Sequence, residues 1–73
     1  MNFAVIGLGS FGIKRASAIK NSKIAKLKYI FDVNEKNAKL ASEKLQVQIK
    51  DYKSIISDKD VEVICVCTPN KFH

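Results

Sequence analysis

With 73 residues the chain has room for one small domain and too little for two. Hydrophobic residues at 47% against 27% charged lie in the ordinary globular range and exclude a disordered segment. The formal charge of +6 comes from 13 Lys and Arg against 7 Asp and Glu, but the lysines are scattered from Lys14 to Lys71 with no arginine cluster and no interleaved aromatic residues, so no nucleic-acid partner is expected.

In chain order, Phe3, Ala4, Val5 and Ile6 form an unbroken apolar run, the pattern of a strand covered on both faces in a parallel sheet. Glycines end it, and from Phe11 to about Asn21 the spacing becomes helical, with Ile13, Ala16 and Ile19 on one face and Lys14, Arg15 and Lys20 off it. Leu27 to Phe31 reads as a second strand ending at Asp32, with Lys28 its early polar member. Asn34 then offers a cap for a helix whose stripe is Ala38, Ala41 and Leu45, with Glu35 in the first turn and Lys44 in the last. Leu40 lies off that stripe, which points to a broad buried face. Val47 to Ile49 is a short candidate strand, and Asp51 a cap for a brief helix carrying Tyr52, Ile55 and Ile56. Val61 to Val66, interrupted only by Glu62, reads as a second buried strand that Pro69 ends.

Cys65 and Cys67 share one face of that strand with Cα atoms about 6.6 Å apart, near the outer limit for a disulfide. With only His73 nearby, no metal-ligand pattern appears, and the pair reads as small buried hydrophobes in a reducing compartment. No apolar stretch approaches the roughly 20 residues of a membrane span, and the N-terminus runs straight into a strand pattern, so a cytoplasmic protein without a membrane partner is expected.

Strands alternating with helices imply an α/β fold with a doubly wound parallel sheet, here about four strands with helices on both faces, a partial Rossmann fold. In the usual order the fourth strand lies beside the first, opposite the second, and the crevice above that reversal is the expected binding site. The glycines support the same place. Gly7, Gly9 and Gly12 form a GxGxxG between a strand and a helix. There Gly7 permits the turn, Gly9 admits a diphosphate to the backbone, Gly12 allows close helix–strand packing, and free amides at the helix start bind the anion. The acidic residue required about 20 residues further on is Asp32, whose carboxylate can accept from both adenosine ribose hydroxyls but meets a 2′-phosphate with like charge. NAD is thus the expected cofactor, with NADP possible because Lys36 is near. The alternatives are a tight turn without ligand at the glycines, and a strand-end turn or cap at Asp32. Thr68 to His73 follows the fourth strand and is expected to reach the same crevice, or to be a plain loop.

GLGSFG, FDVN and DYKSIISDKDVEVICVCTPNKFH together resemble the N-terminal domain of the Gfo/Idh/MocA oxidoreductases, over essentially the whole chain. The resemblance implies a pyridine-nucleotide-dependent enzyme acting on sugars, cyclitols or related polyols, with a C-terminal α/β domain making most substrate contacts. It implies that Ser10 and Phe11 belong to the phosphate loop, and that Thr68, Pro69, Asn70 and His73 lie beside the nicotinamide. Relatives continue to a Glu-Lys-Pro motif and a later histidine, so residues 1–73 are expected to be a dinucleotide-binding portion without a catalytic residue and inactive alone, the parent being homo-oligomeric. Arg15 stands where many relatives have histidine, so no role is carried over to it. Two other classes use similar signals. A non-catalytic NAD(H) sensor has the same fingerprint. An S-adenosylmethionine methyltransferase shares the glycine loop and the acidic strand end, although TPNKFH supplies no acidic residue for methyl transfer.

Overall fold

The structure, a computed structural model, describes residues 1–67. The elements run β1 (Asn2–Ile6), α1 (Ser10–Lys20), β2 (Lys26–Phe31), α2 (Glu35–Leu45), β3 (Gln48–Ile49), α3 (Tyr52–Ser57) and β4 (Val63–Val66). All pairings are parallel, and the strands lie in the order β3-β2-β1-β4. β1 is therefore central, which explains its unbroken apolar run: Ala4, Val5 and Ile6 are all buried. Val5 faces one core with Leu27, Ile30, Ala16 and Ile19 of α1, and Ala38, Ala41 and Leu45 of α2. Ala4 and Ile6 face the other with Tyr29 and Ile55 of α3. Helices on both faces follow from these two cores.

Three readings of the sequence change. Leu40 is 59% exposed, so the buried face of α2 is the narrow stripe Ala38, Ala41 and Leu45 rather than a broad one. β4 is shorter than Val61–Val66, because the Val61 amide donates to the Asp58 carbonyl and the chain joins the sheet only at Val63. It is half-buried rather than buried, with Val66 exposed, because only β1 pairs with it among the described residues. Asp51 stands at the N-cap of α3 without a side-chain capping hydrogen bond. Asn34 does cap α2, its side-chain oxygen accepting from the amides of Lys36 (3.0 Å) and Asn37 (3.1 Å).

β2 contains an irregularity that the apolar run conceals. Phe3 pairs with Leu27 and Ala4 with Tyr29, so Lys28 is an extra residue, a bulge. Strict alternation puts Leu27, Tyr29 and Phe31 on one face. The bulge rephases the strand, placing Leu27 with Ile30 against α1 and α2, and Tyr29 with Phe31 against α3. Lys28 thereby reaches the carboxylates of Asp58 (3.2 Å) and Asp60 (3.3 Å) at the N-terminal end of the sheet.

Candidate functional site

At the opposite end of the sheet, β1 runs into Gly7, whose φ of 95° is a backbone conformation that side chains resist. The turn is stitched to the tip of β2 by two consecutive amides: Gly7 N donates to the Phe31 carbonyl (2.8 Å) and Leu8 N to Asp32 Oδ2 (2.6 Å). The Leu8 side chain is buried in the α1/α2 core and anchors the loop from below. On the other side the Cys67 amide donates to the Ile6 carbonyl (2.8 Å), carrying β4 up beside the turn.

Gly12 sits in the first turn of α1, packed on the turn below it. A methyl there would be driven into the Gly7 carbonyl, 2.8 Å from its carbon, and against Cys67 Cβ at 3.3 Å. Gly9 is different. As N-cap it has φ −68°, open to any residue, and an added Cβ would have nothing within 4 Å among the described residues. Neither conformation nor packing among the described residues requires glycine there.

An α-helix leaves its first four amides without intrahelical acceptors. In α1 these belong to Gly9, Ser10, Phe11 and Gly12, and none has a partner among the described residues; the first bond of the helix is Ile13 N to the Gly9 carbonyl (2.9 Å). The amides of Gly7 and Leu8 are committed elsewhere, so among the described residues the backbone donors the turn offers an anion narrow to Gly9–Gly12. Gly9, Ser10 and Phe11 line a cleft of about 670 Å³ between the turn and the tips of β2 and β4.

The cleft brings together Gly7, Gly9, Ser10, Phe11 and Asp32 of the residues expected at the site, while Gly12 lies just behind them. Thr68, Pro69, Asn70 and His73 lie outside the described residues. Val33, Asn37, Val66 and Cys67 also line the cleft and escaped the sequence reading. Val33 had a signal, a branched apolar residue directly after the strand-end acid, and it is 89% exposed. Asn37 had none beyond its place in the first turn of α2.

Asp32 combines two of the roles open to it. Its Oδ1 accepts from Asn34 N (2.8 Å) in a local turn at the strand end, and its Oδ2 holds the glycine loop. An ionised carboxylate has about four acceptor sites, so each oxygen keeps capacity for a ribose hydroxyl. Arg15 lies with its guanidinium 5.5 Å from the centroid of the exposed Phe11 ring. Burial pushes the Cys67 thiol pKa up, neighbouring Cys65 adds to this, and the Arg15 cation opposes it more weakly.

An open parallel α/β sheet whose first turn presents free helix amides, with an acid at the tip of the next strand, defines a dinucleotide-binding fold. The model of the oxidoreductase family with an NAD-binding Rossmann fold, GFO_IDH_MocA, matches residues 1–73, and the chain belongs to that family. It is an NAD-binding domain of that class. The chain is 36% identical to the myo-inositol 2-dehydrogenase of Thermotoga maritima, over 100% of this chain and 22% of that protein. It is 28% identical to the 2,7-anhydro-N-acetylneuraminate hydratase of Mediterraneibacter gnavus, over 100% and 19%. The solved structure of myo-inositol 2-dehydrogenase from Lactobacillus plantarum superposes with a TM-score of 0.84 at 26% identity, over 100% of this chain and 22% of that one. The chain thus spans about a fifth of the length of the curated relatives it matches.

Proposed function

We propose that the protein carrying this chain is an NAD-dependent oxidoreductase acting at a hydroxyl or carbonyl carbon of a sugar, cyclitol or similar polyol. The observation that carries the binding half of this reading is Gly9, a glycine that nothing among the described residues requires, at the mouth of four amides without a partner among those residues. A missing Cβ facing open space is what close approach of a diphosphate requires. The amides of Gly9, Ser10, Phe11 and Gly12 hold the diphosphate oxygens, aided by the positive end of α1. Asp32 accepts from the adenosine ribose hydroxyls and disfavours a 2′-phosphate, so NAD is preferred over NADP. Val33 offers an apolar surface beside that ribose. Thr68, Pro69, Asn70 and His73 are assigned to the nicotinamide end by resemblance.

Bound nicotinamide supplies hydride transfer at its ring, and the part of this chain is to hold and orient it. No residue of the chain is assigned proton transfer. The polyol reading draws support from the relatives named as inositol dehydrogenases. A relative named as a hydratase supports a second reading, chemistry without net oxidation on the same nucleotide-binding half.

Titrating the chain with NADH and NADPH tests the binding half: saturable binding is expected, tighter for NADH, and abolished by Gly9→Val. Binding indifferent to that substitution overturns it. For the chemistry, the whole protein is incubated with NAD and a panel of inositols and sugars while nicotinamide reduction is followed. Reduction supports the dehydrogenase reading, and substrate conversion without net reduction supports the second.

A further inference from the structure

The Asp32 carboxylate lies between two things the dinucleotide reading treats separately, the ribose subsite and the phosphate turn. Its Oδ2 takes the Leu8 amide at 2.6 Å, one residue before the first free amide of the turn, and its Oδ1 takes the Asn34 amide at 2.8 Å. Both oxygens are thus fixed by backbone donors and the side chain has no freedom to swing between partners. The Leu8 amide is partly buried, its side chain is locked in the core, and Gly7 beside it is already tied to Phe31. Beyond the packing of Leu8 and α1 on the core, the hydrogen bonds that tie the glycine turn to β2 among the described residues are one main-chain bond and this charge-assisted one.

We propose that Asp32 is a positioning residue for the diphosphate as well as a ribose ligand: through Leu8 N it holds the glycine turn in the geometry in which the Gly9–Gly12 amides converge. The inference rests on the dinucleotide reading and adds a sign that the ribose role alone does not predict. A carboxylate near a bound diphosphate repels it, so if Asp32 only touched ribose, its removal would leave inorganic pyrophosphate binding unchanged or tighter. As a latch, its removal weakens that binding.

Titration of the chain and its Asp32→Ala and Asp32→Asn variants with inorganic pyrophosphate, followed by amide chemical shifts, separates the two. Asp32→Ala is expected to bind pyrophosphate about tenfold more weakly, from the loss of one charged hydrogen bond to a partly buried amide. Asp32→Asn keeps an acceptor for Leu8 N and sheds the charge, so it is expected to match or exceed the wild type. Both bind NADH more weakly. Alanine binding pyrophosphate as tightly as wild type overturns the latch. Should the alanine variant not fold, amide exchange in the wild type decides: Leu8 is expected to be protected well beyond Gly9, Ser10 and Phe11, and equal exchange at Leu8 and Gly9 overturns the proposal. Absence of saturable NADH binding to the wild type is a separate outcome, which removes the dinucleotide reading and the proposal with it.

Discussion

The two ends of the sheet treat their polar groups in opposite ways. At the N-terminal end the chain satisfies itself: Asn2 Nδ2 donates to the Asp60 carbonyl (3.0 Å), Asn2 N to Glu62 Oε1 (3.0 Å), Glu62 N to the Asn2 carbonyl (2.9 Å), and Lys28 binds two carboxylates. At the C-terminal end four consecutive amides have no partner among the described residues, and three of their residues, Gly9, Ser10 and Phe11, line a cleft. The same sheet supports both ends, so stability alone does not account for the difference. Leaving donors unpaired is costly where water is excluded and tolerable where a ligand or solvent takes them. Binding is therefore read from what folding leaves undone.

The glycine turn offers the sharpest way to break this contrast, because two of its glycines do different work. Gly12→Ala drives a methyl into the Gly7 backbone carbonyl, with Cys67 Cβ also close at 3.3 Å. Loss of about 3 kcal/mol, enough to unfold a domain this small, is expected in urea titration, with NADH binding lost as a consequence. Gly9→Ala meets nothing among the described residues and keeps an ordinary φ, so stability in urea should stay within about 0.5 kcal/mol of wild type. NADH affinity should nevertheless fall at least about tenfold, because the methyl occupies the face that the diphosphate approaches. Equal effects of the two substitutions on stability would dissolve the distinction. Smaller still, Asn34→Ala removes the acceptor of two α2 amides and should cost about 1 kcal/mol in the same titration. Asn34 N is also the Asp32 Oδ1 donor, but as a backbone group it survives the substitution, so NADH affinity should change little.

What the residues disclosed beforehand divides along the same line. The buried run Phe3–Ile6, the strand–GxGxxG–helix sequence and Asp32 at a strand end are local signals, and the sheet order and the cleft follow from them by connection rules. Contacts between residues far apart in the chain left no such mark. Leu27, Tyr29, Ile30 and Phe31 are all apolar, so the run carries no phase and the bulge at Lys28 is invisible in it. Asp58 and Asp60 look like ordinary turn residues until the bulge delivers Lys28 to them, 30 and 32 positions away. Leu40 misled because an apolar residue off a stripe reads as a widening of the buried face, whereas α2 has no further layer over it among the described residues. Asn37 enters the cleft only because α2 packs beside α1, which composition does not reveal.

The closed end is tested by pH. Burial works against the Lys28 ammonium, but hydrogen bonds to Asp58 and Asp60 outweigh it and hold its pKa above the usual lysine value. The Asp60 amide lowers Asp58 most, with Tyr29 and Lys28 adding to it against burial, so its carboxyl lies below the usual range. A raised lysine pKa stabilises fully below the unfolded value, about 10.4, and this is lost as pH rises through the folded value. A depressed aspartate stabilises fully above about 3.9 and this is lost as pH falls through its folded value. The clasp is therefore complete between roughly pH 5 and 9 and fades on either side. Lys28→Met is expected to remove its contribution to the alkaline limb of the stability–pH curve but only part of the acid limb, because the Asp60 amide still holds Asp58. NADH affinity at neutral pH should be unchanged, since Lys28 lies at the far end of the sheet from the glycine turn. If Lys28→Met weakened NADH binding with the fold intact, the two ends would be coupled through the β2 bulge rather than independent, and Lys28 would belong with Asp32 among the residues that set the turn.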